Sequence, residues 1–560
     1  MVSRRALLCG LAGSLAGLLS CDPGGTECPL PEQDRIDGKC VSLGQVRLNS
    51  VGFLPDRKKI ASVAGAGERF IVRRADGTVA LEGSTSGPLH DPDTGEDLTL
   101  ADFSALSETG DFYVDVPGVG RSPTFHIAPD VYATALATAM LGLTGQRCGG
   151  AVSFTIEGSK YAHGICHGND ARLDFLTGAS DIKPSRKGWH DAGDYGKYTV
   201  NGAFAAGVVL KAWEHFADKL KGLSFDVPEH GGPLPDLLAE VRWELEWLLT
   251  LQAPDGTVAH KVTALHFEAL STAPEADVEA RYFAPPGTAA TAAFTAVMAQ
   301  AARIYAVYDG AFSAACLAAA KLSYAYLRAT PAQQKPDLSA FTTGEYQTDD
   351  ADDRLWAAAE LWETTGDAEA LSDLESRAAG VQIELRWDWS NVGNLGLFTY
   401  VLSSRPGKNA AVASAVKASA ITIADTIVAG TAQHGYGRAV GAQYYWGING
   451  VEARTCMNLI VAHKLDPKEA YLDAAAQQVD HLFGRNPYGR SMVTGIGHRP
   501  PIAPHHRPSV ADHKPWPGLL VGGPWPMATS WVDDAMNYKT NEVAINWTAA
   551  LIYALAAFSP

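Results

Sequence analysis

The pattern of hydrophobic and polar positions divides the chain into two structurally different parts. Between residues 45 and 127, short runs of β-forming residues alternate with turns rich in Gly, Asp and Pro, which predicts a small β-sandwich. After Pro129 the apolar residues recur at intervals of three and four, as they do from Leu237 to Leu249, and this spacing predicts helices. The predicted helices span residues 132–143, 200–220, 235–251, 289–308, 311–329, 355–364, 410–428, 450–464, 468–483 and 542–557.

These two patterns define the predicted domains. An all-β sandwich occupies residues 44–128, and one helical domain occupies residues 129–560. The loops between several of the helices are long and rich in Gly, Pro and Trp. Loops of that length are uncommon in a compact domain unless they have a function, so we expect functional residues to lie on them.

The first 21 residues predict an export signal. Two arginines precede an apolar run of about 14 residues, which is too short to span a bilayer and is typical of a signal peptide. The run ends in LLSC, which resembles a bacterial lipobox and predicts a lipid anchor on Cys21; a plain signal peptide cut elsewhere is the alternative. Residues 22–43 then form a polar tether. We expect an exported protein that is held at a membrane only through its lipid, or is otherwise secreted.

Composition excludes several classes of protein. Of the 560 residues, 46% are hydrophobic and 19% are charged, which excludes a disordered chain. The 62 acidic and 45 basic residues give a net charge of −17, which argues against nucleic acid as a partner. The 13 Trp residues are many for this length, so we expect them to lie in the core or to offer flat surfaces to a planar ligand.

Three carboxylates stand out as candidate catalytic groups. Asp191 and Asp194 lie in the segment GWHDAGDYGKY, whose glycines allow both to face one side of a tight turn. Neighbouring carboxylates repel, so one tends to have a raised pKa and the pair can share a water molecule. Glu542 is predicted at the start of the last helix, where burial would make it a proton donor near neutral pH. The structural alternatives are a helix cap or a calcium loop for the aspartates, and a first-turn residue that stabilises the helix for Glu542.

A Pro-rich loop carries two further polar candidates, His505 and Arg507. Their side chains can donate several hydrogen bonds to sugar hydroxyls or to a carboxylate. The alternative for these two residues is a salt-bridged surface loop.

Eight motifs in one order resemble glycoside hydrolase family 9, in the subgroup with an N-terminal immunoglobulin-like domain. They are VRLNSVGF (46–53), GWHDAGDYGKY (188–198), WAAAEL (356–361), YWGIN (445–449), GRNP (484–487), HHR (505–507), GGP (522–524) and NEVA (541–544). The resemblance covers nearly all of residues 45–560. It implies an immunoglobulin-like sandwich followed by an all-α (α/α)6 barrel, and inverting hydrolysis of β-1,4-glucosidic bonds in cellulose or related β-glucans without an organic cofactor.

The resemblance also implies roles for matching positions. Asp194 would be the general base that activates water, Asp191 would help to hold that water, and Glu542 would be the general acid. Inversion places the acid and the base on opposite faces of the sugar, about 6.5–9.5 Å apart. The matching positions that would contact substrate are His505, Arg507, Tyr445, Trp446 and Trp547. Thr548 and Trp525 stand where Asn is common, and Trp525 could add a stacking surface or close one end of the cleft.

Two metal sites are candidates from the residues and the resemblance together. Cys148, Cys166 and His167 match positions that hold a structural zinc in some members of the subgroup, although the fourth ligand is not evident and Lys197 stands where some relatives have His. A disulfide between the two cysteines is the rival, because the chain is expected to be exported; free thiols are a third alternative. An acidic loop containing Asp349 and Asp352 offers oxygen ligands for calcium, and a solvated helix start is its alternative.

We therefore expect an endoglucanase that acts as a monomer on a β-glucan polysaccharide or oligosaccharide. The nearest alternative is an exo-β-D-glucosaminidase acting on chitosan oligosaccharides, for which a closed pocket with an acidic residue facing the sugar amine would be typical. An alternative of another class is a non-catalytic glycan-binding surface lipoprotein. That alternative predicts loss of at least one of Asp191, Asp194 and Glu542, and all three are present.

Overall fold

A computed structural model describes residues 44–560, together with the backbone pairing of residues 33–36 and 39–42. The predicted signal peptide with Cys21 lies outside the described residues, as do the remaining residues of the tether. Within the tether, β1 (Gln33–Ile36) and β2 (Lys39–Ser42) form an antiparallel pair.

The N-terminal domain is a two-sheet sandwich, as predicted. One sheet has the order β4-β12-β10-β6-β7, with β11 on β10, and the other has the order β3-β5-β9-β8. Alternate residues face the space between the sheets, where Phe53 meets Phe103 edge-on at 5.2 Å. The strands are β3 (Val46–Arg47), β4 (Gly52–Phe53), β5 (Ile60–Val63), β6 (Arg69–Arg74), β7 (Val79–Ser84), β8 (Ser86–His90), β9 (Asp97–Asp102), β10 (Gly110–Val116), β11 (Gly120–Arg121) and β12 (Phe125–Ile127).

The C-terminal domain is mainly helical and carries a few short strands in its loops. The strands are β13 (Val152–Ile156), β14 (Ser159–His163), β15 (Lys197–Tyr198), β16 (Lys261–Thr263) and β17 (Tyr282–Phe283). The helices are α1 (Ala133–Gly145), α2 (Asp174–Thr177), α3 (Thr199–Leu220), α4 (Asp236–Thr250), α5 (Thr288–Tyr305), α6 (Gly310–Ala329), α7 (Ala351–Thr365), α8 (Ala368–Ala378), α9 (Gly393–Leu402), α10 (Ala410–Gln433), α11 (Ile448–Leu465), α12 (Glu469–Leu482), α13 (Arg507–Ala511), α14 (Tyr538–Asn541) and α15 (Ile545–Phe558).

Within the described residues, six helices form a closed inner ring in the order α3, α5, α7, α9, α11 and α15, and α15 returns to α3. Helices α1, α4, α6, α8, α10 and α12 pack outside this ring. The inner helices are buried almost all round, as α5 and α15 illustrate. This arrangement is the (α/α)6 barrel that the resemblance to glycoside hydrolase family 9 implied.

Two helices of the barrel were not predicted from the sequence. Helix α8 has a clear amphipathic pattern, so the sequence contained the information for it. Helix α9 is short and contains two glycines. A Cβ atom on Gly396 would lie 2.4 Å from Leu355 Cδ2 of α7, so this close packing requires a glycine. Glycine is a poor helix former, and its presence weakened the helical pattern in the sequence.

One outer helix, α10, is long and apolar enough to cross a membrane by length and composition alone. Its Val416, Ala420, Ala424 and Ile427 are buried in the main hydrophobic core. The side chains on its other face are largely exposed and include Lys417 and Asp425. This pattern is the one expected of an outer barrel helix.

A buried polar cluster joins the sandwich to the barrel close to the predicted cleft. Asp93, between β8 and β9, accepts hydrogen bonds from His434 Nε2 at 3.1 Å and from the Tyr444 hydroxyl at 2.5 Å. Burial alone would raise the pKa of Asp93, but these two hydrogen bonds, together with the charges of His434 and Arg438, lower it to about 2. Because Tyr444 directly precedes Tyr445 and Trp446, the sandwich supports the loop that carries these predicted substrate contacts.

Candidate active site

The two aspartates lie on a tight turn that immediately precedes β15 and α3. The Asp191 N–H donates to the Gly196 carbonyl at 2.9 Å and closes the turn. Gly193 is required between the aspartates, because a Cβ atom there would lie 2.3 Å from the carbonyl oxygen of His505. The glycine thus allows the His505 loop to approach the turn closely.

The two aspartates have different hydrogen-bond partners. Asp191 accepts from Asn201 Nδ2 at 2.7 Å and from the Tyr346 hydroxyl at 2.6 Å. Asp194 Oδ2 accepts from the Tyr198 hydroxyl at 2.8 Å. Burial and the neighbouring charge of Asp194 raise the pKa of Asp191 to about 8. The turn therefore resists carrying two negative charges at neutral pH.

Glu542 lies in an extended segment between α14 and α15, so its predicted position in the first turn of the last helix is wrong. Its carbonyl accepts from the Gly522 N–H at 2.8 Å, and the Ile545 N–H donates to the Asp191 carbonyl at 2.9 Å. These bonds fix the acidic segment directly against the aspartate turn. Burial, followed by the charges of Asp194 and Asp191, raises the pKa of Glu542 well above its usual range.

A cavity of about 410 Å³ brings the three carboxylic residues together. The acidic side chains lie among aromatic ones, which suits a ligand with both polar groups and flat apolar faces. The aromatic residues that line the cavity are Tyr198, Phe267, Tyr346, Trp389, Trp446 and Trp547. Trp446 and Trp547 thus line the cavity, and their contact with substrate stays a prediction.

The other three predicted substrate contacts are not among the residues that line this cavity. Arg507 Nη1 donates to the Gly193 carbonyl at 2.7 Å, and its Nε lies 2.6 Å from Glu268. His505 Nδ1 is 2.6 Å from a backbone carbonyl. Tyr445 is half-buried against the small core beneath the Trp446 loop. Arg507 therefore braces the aspartate turn, whereas His505 contacts the segment before Glu542. Direct contact of His505, Arg507 and Tyr445 with substrate stays a prediction.

Several polar and aromatic residues of the site were missed by sequence analysis. Asn201 and Tyr346 hold Asp191, and the Tyr346 ring lies 4.7 Å from the ring of Trp389. Asn546 donates to Asp388 at 2.7 Å beside them. Of these residues, only Asn546 could have been suggested by the sequence, because it directly precedes the predicted site residue Trp547. The rest come from segments far apart in the chain, which the barrel brings together.

A cluster of four metal-ligating side chains lies directly behind the aspartate turn. Cys148, Cys166, His167 and His190 present ligand atoms that all lie within 4.8 Å of one another. Both cysteines are free, so the predicted disulfide alternative is wrong. His190, next to Asp191 in sequence, offers the fourth candidate ligand atom, which sequence analysis did not identify. Lys197, which stands where some relatives have His, forms an ion pair with Asp170 at 3.1 Å.

The acidic loop at the start of α7 does not form a comparable group of three ligands among the described residues. Asp349 is exposed and lies 3.4 Å from Lys335. Asp352 accepts the Val392 N–H at 2.6 Å. The carboxyl oxygens of Asp353 are buried without a hydrogen-bond partner.

The barrel, the three carboxylic residues and the aromatic cavity define a glycoside hydrolase. The chain belongs to glycosyl hydrolase family 9, whose model matches residues 132–555, and the model of the cellulase N-terminal ig-like domain matches residues 42–121. Endoglucanase D of Acetivibrio thermocellus is 50% identical over 521 residues, which are 92% of this chain and 83% of that protein.

Solved structures show the same architecture. A metagenome-derived glycoside hydrolase family 9 endoglucanase has a TM-score of 0.85 at 36% identity, covering 92% of this chain and 99% of that one. A Zn-binding triple mutant of the family 9 endoglucanase J30 also has a TM-score of 0.85, at 34% identity, covering 90% of this chain and 99% of that one.

Proposed function

We propose that the protein is an inverting endo-β-1,4-glucanase with Asp194 as the general base and Glu542 as the general acid. The observation that carries this proposal is the cavity in which Asp191, Asp194 and Glu542 meet between aromatic side chains. The similarity to Endoglucanase D over 92% of the chain supports the substrate class.

The environments of the carboxyl groups suit different tasks. Glu542 keeps its proton near neutral pH because burial and the neighbouring charges raise its pKa, so it can protonate the oxygen of the leaving sugar. Asp194 takes a proton from the attacking water. This water adds to the anomeric carbon from the face opposite the leaving oxygen. Asp191, held by Asn201 and Tyr346, positions that water beside Asp194.

The cavity is suited to a neutral sugar chain. A pyranose has an apolar face of C–H groups that can pack on an aromatic ring, and Trp446 and Trp547 offer such rings beside the acid. A protein with a net charge of −17 can therefore hold a glucan without charge attraction.

Product analysis on three substrates tests this function. We expect a fast fall in the viscosity of carboxymethyl-cellulose and mixed-linkage glucan, with oligosaccharides as early products. Chitosan oligomers should remain intact. Glucosamine released one unit at a time from chitosan, without action on the glucans, would replace the endoglucanase by the exo-β-D-glucosaminidase.

We further propose that the cysteine–histidine cluster binds structural zinc. A tetrahedral site with Zn–S of about 2.3 Å and Zn–N of about 2.1 Å places sulfur–nitrogen pairs about 3.6 Å apart and two nitrogens about 3.4 Å apart. The corresponding distances are 3.4 Å for Cys148–His167, 3.8 Å for Cys166–His190 and 3.3 Å between the two histidines. His167 Nε2 lies 3.0 Å from Asp277, the type of carboxylate partner that orients a metal-binding histidine.

In this role zinc would supply a cross-link and no catalytic step. Because His190 directly precedes Asp191, the four ligands would fix the aspartate turn to the loops that carry Cys148 and Cys166.

Replacing Cys166 with Ser is expected to remove about one zinc ion per chain and to lower the free energy of unfolding by about 4 kcal/mol, as loss of a metal site does. Elemental analysis and thermal unfolding of the purified variant measure both effects. The same substitution at Cys316, a buried thiol of α6 outside the cluster, should leave the zinc content unchanged. A wild-type protein that holds no zinc after dialysis against zinc would contradict the proposal.

We also propose that the acidic loop at the start of α7 binds calcium. The unpartnered carboxyl oxygens of Asp353, beside Asp352 on α7, support a cation there, whereas the exposure of Asp349 makes it a weaker ligand. The same elemental analysis reports calcium.

We propose that the chain is exported, is anchored through a lipid on Cys21 and acts as a monomer. The lipobox-like sequence and the polar tether behind it support the anchor. Membrane fractionation of the Cys21→Ala variant against the wild-type chain tests the anchor, and sedimentation of the purified enzyme tests the monomer.

A further inference from the structure

Aromatic side chains continue outside the catalytic cavity, on the side of Trp446. Trp446 lines the cavity and is 47% exposed. Its ring meets the ring of Tyr538 at 5.5 Å in an edge-on arrangement, and Tyr538 is itself 43% exposed. Exposed aromatic rings that adjoin a binding cavity are candidates for further ligand contacts.

The next side chains along this surface are Lys539 and Trp525. The Lys539 ammonium lies 5.0 Å from the centre of the Trp525 ring and 6.0 Å from that of Tyr538. Lys539 is exposed and Trp525 is half-buried. The surface therefore combines a flat ring with a flexible donor of hydrogen bonds, which matches the apolar faces and hydroxyl groups of a sugar.

Backbone pairing joins this surface to the acid. Val521 pairs with Val543 across an antiparallel bridge, and the Gly523 N–H donates to the Thr540 carbonyl at 2.9 Å. The segment that ends at Trp525 therefore runs beside the segment that connects Lys539 to Glu542. The same pairing fixes the position of Trp525 relative to the catalytic cavity.

We propose that Trp525, Lys539 and Tyr538 form an additional glucosyl-binding position outside the cavity, continuous with Trp446. We name this surface the outer sugar site. This proposal rests on the proposed function. In it, Trp525 binds a glucosyl unit beyond the two units that flank the scissile bond. A long glucan chain reaches the outer sugar site, whereas a short oligosaccharide that fills only the cavity does not.

Chain-length dependence of catalysis tests the outer sugar site. We expect Trp525→Ala to lower kcat/KM for cellohexaose by about five- to tenfold, the effect of losing one aromatic contact, and to leave kcat/KM for cellotriose unchanged. Trp525→Phe keeps a ring and should recover most of the loss. Met536→Ala is the matched control, because Met536 lies in the same surface loop, is 74% exposed and is outside the proposed site.

Binding without turnover gives a second readout. In a Glu542→Gln background, calorimetry should show that Trp525→Ala weakens the binding of cellohexaose and leaves that of cellotriose unchanged, while the thermal midpoint stays the same. Equal effects on both oligosaccharides, or no effect on either, would overturn the outer sugar site even though the wild-type enzyme cleaves glucans. A wild-type enzyme without activity on glucans would overturn the proposed function, and the outer sugar site with it.

Discussion

Replacing Glu542 with Gln is expected to lower kcat on β-glucans by about 10²- to 10⁴-fold, the usual contribution of a positioned general acid. The amide has the shape of the neutral carboxylic acid, which is the form that burial favours at this position. The thermal midpoint and KM should therefore change little. Initial rates on mixed-linkage glucan measure kcat and KM, and thermal unfolding of the same variant measures the midpoint.

A substrate that needs no acid separates the chemical role of Glu542 from a structural one. A dinitrophenyl β-cellobioside releases a stable phenolate, so its cleavage requires no proton from the enzyme. We expect Glu542→Gln to cleave this substrate at a rate within about tenfold of the wild type. An equal loss on both substrates would remove Glu542 from the role of acid.

Replacing Asp194 with Asn is expected to lower the rates on the glucan and on the dinitrophenyl substrate by similar factors, again about 10²- to 10⁴-fold. The reason is that both reactions need an activated water, whereas only the glucan needs the acid. Steady-state rates of the two variants on the two substrates therefore distinguish the base from the acid.

Asp218→Asn provides the matched control for Asp194→Asn. The Asp218 side chain is 99% exposed and forms an ion pair with Lys221 at 3.0 Å. Its replacement should leave both rates unchanged. Full activity of Asp194→Asn on either substrate would contradict its assignment as the base.

Much of the fold could be predicted because it depends on local patterns. Alternating β-forming residues identified the sandwich, and apolar spacing identified most of the barrel helices. Helix α9 was missed because Gly396, which packs against α7, interrupts the spacing of large apolar residues by which helices are recognised in a sequence. The start of the last helix was placed too early, because the pairing of the Glu542 segment with residues 521–523 is a tertiary contact that leaves no local signal.

The candidate site was predictable only where its residues occur in a recognisable motif. Asp191, Asp194, Trp446 and Glu542 lie in such motifs, Trp547 follows the last of them by three residues, and the structure brings all five to one cavity. Asn201 and Tyr346 hold Asp191 from a helix and from a distant loop, so no spacing in the sequence connects them. His190 lies beside Asp191 in the sequence, but its selection as the fourth candidate ligand required the interatomic distances of the folded chain.

The most direct test of the central claim, that Asp194 and Glu542 cleave a β-1,4-glucosidic bond with inversion, is proton NMR of cellohexaose during the first few turnovers. Because water attacks the anomeric carbon from the face opposite the leaving oxygen, each new reducing end should appear first as the α-anomer and then equilibrate. The Glu542→Gln variant should show no such signal over the same time. New reducing ends that appear first as the β-anomer would contradict the assignment of an inverting acid–base pair.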